Sequence, residues 1–148
     1  IQLAITAAET GHLCFGTLHT QDAPTSVDRI IDVFPPGQQQ QVRIQVSTVL
    51  QAVVSQILLP RIGGQGRAAS REVMVATPAI GNLIREGKTH MLYGAIESGA
   101  KFGMISMDQH LAFLVKQNLL KVEDAVSKAR DPQNLRTLLS LGGGGTPH

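Results

Sequence analysis

Several kinds of residue are scarce in this sequence, and each scarcity removes a class of function. Cysteine occurs once, at Cys14, so neither an intrachain disulfide nor a cysteine-pair zinc site can form, and nothing asks for an oxidising compartment. Aromatic residues make up 3% of the chain, which leaves few rings on which nucleobases could stack. A formal net charge of +2 over 148 residues is too small for a nucleic-acid footprint. No run approaches the roughly 20 apolar residues of a membrane span, because the longest apolar stretch is broken by Gln45, Ser47, Thr48, Gln51 and Ser55. What is present, 43% hydrophobic and 16% charged residues, is the composition of a soluble globular protein with one sizeable core, expected in the cytosol.

The chain opens without methionine on Ile1 to Glu9, apolar at positions 1, 4, 5 and 8, which reads as the interior of a helix that began upstream. Thr10-Gly11 supplies a stop. His12 to His19, apolar, partly aromatic and bounded by turn residues, predicts a short buried strand. Asp22 caps a following helix with Pro24 in its first turn and a stripe of Val27, Ile30, Ile31 and Phe34, ended by Pro35-Pro36-Gly37. Val42, Val46, Val49, Leu50, Val53 and Ile57 recur at helical spacing and predict one long helix. Gln56 to Ile62 and Ala69 to Ala76, joined by Gly63-Gly64-Gln65-Gly66, predict an antiparallel hairpin at a sheet edge, since Pro60 has no N–H for a central ladder. Beyond Thr77 the pattern is helical: Pro78 to Gly87, Thr89 to Glu97, a capping box at Ser106 to Gln109 ahead of Leu111 and Leu114, and Val122 to Ala129. Gly142 to His148 reads as a flexible tail.

One constellation places polar groups at the end of a strand, where open α/β proteins bind ligands: His12 and His19 bracket the apolar segment and Thr20 follows it. On an ideal strand the two imidazoles would point to opposite faces about 23 Å apart, so they cannot share one metal ion, and no metal site is expected. No G-x-x-x-x-G-K-[ST] phosphate loop is present, and Gly63 to Gly66 falls between two strands with no helix dipole behind it. Cys14, inside the apolar strand, reads as inert packing. His90, Tyr93, His110 and His148 read as surface or packing residues, and Met104 and Met107 as adaptable core filler. From these residues alone, core histidines and catalytic histidines both stay open.

Ala7-Ala8-Glu9-Thr10-Gly11-His12-Leu13-Cys14-Phe15-Gly16-Thr17-Leu18-His19-Thr20 closely resembles the His box of the secretion ATPases, hexameric P-loop motors. The resemblance continues through Ser26 to Pro35, Leu50 to Gln56 and Thr77 to Gly87, and extends from Ile1 to Pro132. Its last stretch is similar to the AIRNLIRE signature of the type IV pilus retraction (PilT) branch. The resemblance implies an α/β fold: the C-terminal part of a RecA-like P-loop ATPase core in residues 1–76, a small all-helical unit in 77–140, and a disordered tail in 141–148.

For the site, the resemblance implies that His19, with His12 behind it, approaches the γ-phosphate and couples hydrolysis to movement between subunits, with Thr20 assisting through its hydroxyl. Arg29, on the polar side of its helix, either reaches a neighbouring subunit or is a solvated or intrachain-paired arginine, and both stay open. Ala79, Ile80, Asn82, Leu83, Ile84, Arg85 and Glu86 would form the signature helix, its polar members on an exposed face. Gly81 stands where the family has arginine, deleting a charge that could have paired with Glu86 or a neighbouring subunit. The implied cofactors are ATP and Mg2+. The implied partners are five further copies in a homohexamer and the pilus machinery at the inner membrane, with no nucleic acid and no membrane insertion. The Walker A loop, Asp box and Walker B carboxylate of the family would lie before Ile1, so the intact protein is expected to be an ATPase driving pilus retraction and twitching motility, and this chain alone to be inactive. Two other readings are an assembly or type II secretion ATPase, whose usual four-cysteine insertion the single Cys14 argues against, and a non-catalytic subunit-interaction domain.

Overall fold

A computed structural model describes residues 1–141, and the glycine-rich stretch expected to be a flexible tail lies outside the described residues from position 142 onward. Three helices come first. Helix α1 (Gln2–Glu9) buries Ile5. Helix α2 (Ala23–Asp32) starts where Asp22 accepts a hydrogen bond from the Thr25 N–H at 2.8 Å, and it buries Val27 and Ile31. Phe34 lies past its end and is still buried. Helix α3 (Pro36–Val49) opens on Pro36, whose missing N–H would be unsatisfied there in any residue, and buries Val42 and Val46.

The helix expected to reach Ile57 stops at Val49, where Leu50 takes extended backbone with φ −63° and ψ 131°. Val53 and Ile57 belong instead to strand β1 (Ala52–Pro60). A spacing of four residues satisfies both a helix face and a strand face, so it does not separate the two, and the β-branched run Val53-Val54 favours the strand. Strand β2 (Arg67–Val75) pairs with β1 antiparallel in register from Ala52↔Val75 to Pro60↔Arg67, so the hairpin is present with β1 starting earlier than expected. Pro60 sits at the end of the ladder, where a lost donor matters least. One face turns Ser55 and Leu59 inward beside Ala68, Ser70, Glu72 and Met74, while Val54 and Leu58 face outward.

The expected strand at His12 to His19 is not formed. Residues 12–20 have no regular secondary structure, positions 12–19 are exposed, and among the described residues Leu13 to Thr20 make no backbone-to-backbone hydrogen bond. Phe15 is 92% exposed and Leu13 76%, and Cys14 is exposed with them rather than packed inside a strand. An extended segment closes no hydrogen bonds within itself, and among the described residues neither β1 nor β2 pairs with this one.

After the hairpin the chain is helical. Helix α4 (Pro78–Arg85) is capped by Thr77, whose hydroxyl accepts from the Ile80 N–H at 3.4 Å, and its last turn is closed at Gly87, whose φ of 70° favours glycine. The helix expected from Thr89 to Glu97 is a 3-10 turn, Thr89–Met91, followed by α5 (Leu92–Glu97). Helix α6 (Met107–Lys116) carries the full capping box between Ser106 and Gln109. Helices α7 (Val122–Lys128) and α8 (Pro132–Ser140) complete the described fold.

The buried apolar residues gather in two clusters. The first joins α1, α2 and α3 to Met74, Ile80, Ile84, Leu92, Ile96 and Met104. The second joins the tip of the hairpin, Leu59 and Ala68, to Met107, Leu111, Leu114, Leu120, Ala125 and Leu135 of the last helices. The hairpin therefore spans both. No helix among the described residues is long and apolar enough to cross a membrane.

Candidate functional site

The segment of residues 12–20 leads into α2, and its two ends are held differently. His12 is exposed, with Nδ1 3.1 Å from the Thr10 hydroxyl, while His19 is exposed with no hydrogen-bond partner among the described residues. Thr20 is half-buried, its hydroxyl 2.6 Å from that of Ser26, which in turn lies 2.8 Å from the Asp22 carbonyl. Ser26 has one hydroxyl proton. If that proton goes to the Asp22 carbonyl, Thr20 must donate to Ser26, so giving a proton to a phosphate oxygen would require Thr20 to turn away from Ser26. Arg29 is exposed on α2 and has no carboxylate within 4.0 Å among the described residues.

Helix α4 is set against α3 and α5. Ile80 and Ile84 are fully buried and Leu83 is partly buried, while Ala79, Asn82, Arg85 and Glu86 are exposed. An Arg85 Nη1–H donates to Asn82 Oδ1 at 2.7 Å, and the Lys88 ammonium, 2.7 Å from Glu86, holds that carboxyl below the usual range. Gly81 is buried, and a Cβ placed on it would stand 3.1 Å from the Ser47 carbonyl oxygen of α3. The position is a helix-to-helix contact, so a side chain there bears on how closely α3 and α4 approach.

Sequence reasoning passed over a group of polar residues where the hairpin meets α2 and the last helices. They border a cleft of about 670 Å³ lined in part by Gln21, Asp22, Arg67, Glu72, Lys128 and Arg130. Glu72 is fully buried, its Oε1 accepting from the Ala23 N–H at 2.8 Å and its Oε2 from the Met107 N–H at 3.3 Å. Burial pushes its pKa up, and those two N–H groups oppose the shift. Asp108, also fully buried, accepts from the N–H groups of Arg130 and Asp131 at 2.8 and 2.9 Å. The Arg130 guanidinium lies 4.2 Å from the Tyr93 ring centre and 4.0 Å from Asp22. The Tyr93 oxygen is buried with no hydrogen-bond partner among the described residues, and burial raises its pKa. The signal for Glu72 was strand parity: it alternates with Ser70 and Met74, both wholly buried, so it had to face inward once the register was set.

His110 packs as expected. Its ring stacks on Phe113 with centres 5.9 Å apart, and Nδ1 accepts from the Arg71 N–H at 3.0 Å and lies 3.3 Å from the Ser70 hydroxyl. Burial, and then the charge of Arg71, lowers its pKa.

The profile of the family described as "Type II/IV secretion system protein" matches residues 1–101. "Type IV pilus retractation ATPase PilT" of Pseudomonas aeruginosa is 51% identical over 134 residues, which are 90% of this chain and 39% of that protein. "Twitching motility protein" of Neisseria gonorrhoeae is 49% identical over 135 residues, 91% of this chain and 36% of the relative. Among solved structures, that of the pilus retraction motor PilT with bound ADP shares the fold at a TM-score of 0.81 and 46% identity, over 92% of this chain and 38% of the other. The chain spans a little over a third of the length of the curated relatives it matches.

Proposed function

We propose a function for this chain from one premise: it belongs to the Type II/IV secretion system protein family, whose profile covers residues 1–101. Within that family it supplies part of an ATP-hydrolysing hexameric motor that powers type IV pilus retraction. The observation that carries this reading is identity of 51% with a pilus retraction ATPase across 90% of the chain, a span that takes in both the His19 segment and α4.

In this reading His19 meets the terminal phosphate, where an imidazole can donate to a developing negative charge, and Thr20, its hydroxyl held by Ser26, keeps the end of the segment in place against α2. His12 lies behind them, and Arg29 faces a neighbouring copy. The cradle for the other phosphates is not among the described residues: Gly63 to Gly66 lies in the turn between β1 and β2 and opens no helix. Among the described residues no three His, Cys, Asp or Glu side chains come together where a metal ion could be held. On this reading the chain by itself does not hydrolyse ATP, and Mg2+-dependent turnover by the purified 148-residue chain would overturn that.

The exposed Leu13, Phe15 and Leu18 have a place in this reading too. They are the surface on which the polypeptide present in longer relatives packs, completing the strand and the nucleotide site. The motor then works in the cytoplasm against the pilus machinery of the inner membrane, with Asn82, Arg85 and Glu86 passing motion outward. The test is His19→Ala in the intact protein: ATPase falls about a hundredfold while hexamers still assemble, a loss typical of removing one donor to transition-state charge. Unchanged hydrolysis would remove the proposed role.

A further inference from the structure

Two helices in different apolar clusters begin at one side chain. Ala23 is the first residue of α2 and Met107 the first of α6, and both backbone N–H groups point at the Glu72 carboxylate, at 2.8 and 3.3 Å. First-turn N–H groups have no partner inside their own helix, and the helix dipole makes that end favourable for negative charge. The caps leave these two groups free: the Asp22 side chain takes the Thr25 N–H and the Ser106 hydroxyl takes the Gln109 N–H. Glu72 supplies what both caps leave over, one oxygen to each helix. A glutamine could serve only one, since its amide nitrogen would face the second N–H donor to donor.

The start of α2 is also where the segment carrying His19 is tied down. Thr20 is bonded to Ser26 of that helix, and Ser26 to the Asp22 carbonyl, whereas Leu13 to Leu18 have no such tether. A continuous set of polar contacts thus runs from Thr20 through the first turn of α2 to Glu72 and on to α6. The pair at the cleft mouth is weaker by comparison: Arg130 and Asp22 are 4.0 Å apart and their side chains are 42% and 28% exposed.

We infer that Glu72 is a positioning residue that fixes the start of α2, and with it Thr20 and His19, to the start of α6, so that the phosphate-side segment and the last three helices move as one body. This rests on the reading of His19 as a phosphate contact, with Thr20 as the residue that ties its segment to α2. Glu72 does not touch the nucleotide in this account. It acts through the two N–H groups, as an outer-shell partner acts on a site residue.

The test uses Glu72→Gln and Ser26→Ala in the intact protein, with amide hydrogen exchange and steady-state ATPase as readouts and Arg130→Ala as control. Glu72→Gln should speed exchange at Ala23 or Met107 while the interiors of α2 and α6 stay protected. It should lower kcat on the order of tenfold, the low end of what losing a group that orients a metal ligand costs, with KM for ATP little changed. Ser26→Ala, which keeps the Glu72 joint and releases Thr20, should lower kcat in the same way without altering exchange at Met107, and it serves if Glu72→Gln does not fold. Arg130→Ala should leave kcat within about twofold. Wild-type exchange at both N–H groups, protection lost evenly through both helices, or an unchanged kcat in the variants would overturn the inference. ATPase that His19→Ala leaves unchanged would instead remove the reading beneath it. Activity sensitive to His19→Ala but indifferent to Glu72→Gln and Ser26→Ala would remove this inference alone.

Discussion

Residues 12–20 and helix α4 carry two of the motifs in which the sequence resembles the secretion ATPases, and they stand at opposite extremes of structural independence. Helix α4 satisfies its own backbone, caps itself with Thr77 and buries Ile80 and Ile84 completely. Among the described residues the segment has no backbone partner from Leu13 to Thr20, and Phe15 is 92% exposed. The difference follows from where the hydrogen bonds must come from. A helix closes its bonds within four residues, whereas an extended segment needs another strand. Of two equally recognisable sequences, one holds its conformation within the chain, and the other is tethered at its Thr20 end by α2.

Substitution at the two stretches should expose this difference in stability first. In the 148-residue chain, Ile84→Ala should lower the unfolding free energy by about 2–4 kcal/mol through the lost methylenes and the cavity left behind. Phe15→Ser in the same chain should change it by less than about 0.5 kcal/mol, because an exposed ring gives up little on removal. Urea denaturation measures both. A large loss from Phe15→Ser would mean the segment is packed after all, and the contrast would break. In the intact protein, where the segment is proposed to be covered, the same serine should become clearly destabilising.

A second, smaller effect separates the two stretches by what they do. Substituting Asn82, Arg85 or Glu86 with alanine should reduce pilus retraction several-fold while ATPase falls by less than about twofold, since these exposed positions on α4 are expected to pass on motion rather than contact phosphate. Retraction speed measured beside phosphate release decides it, and a parallel loss of both would show that α4 and the His19 segment are not distinct in role.

The smallest expected effect concerns pH. Burial holds the His110 imidazole below the usual histidine range, so the unfolded chain takes up its proton more readily than the folded one. The associated stability is complete above the ordinary value of 6.5 and is lost as pH falls from there toward the depressed value. His110→Asn, which keeps an acceptor near the Arg71 N–H, should flatten that loss in urea midpoints taken between about pH 5 and 7. Because His110 stacks on Phe113, which packs against the second cluster, ATPase contributions of His19 should be untouched.

The sequence by itself determined the features in which neighbouring residues settle the matter among themselves. Asp22 and Ser106 as caps, Pro78 opening α4, the end of that helix at Gly87, and the antiparallel hairpin around Gly63 to Gly66 are all local, their deciding contacts lying within a few residues. Only the tertiary structure decided the rest. The end of α3 at Val49 depended on β1 finding β2, because Val53 and Ile57 fit either period. Gly81 became a helix contact because α3 lies across it, and Glu72 became a joint because two helices 49 and 35 positions away in the chain begin at its oxygens. The strand expected at His12 to His19 failed for the same reason in reverse. Its side chains are those of a strand, but pairing belongs to two segments together, and a single segment cannot specify its partner.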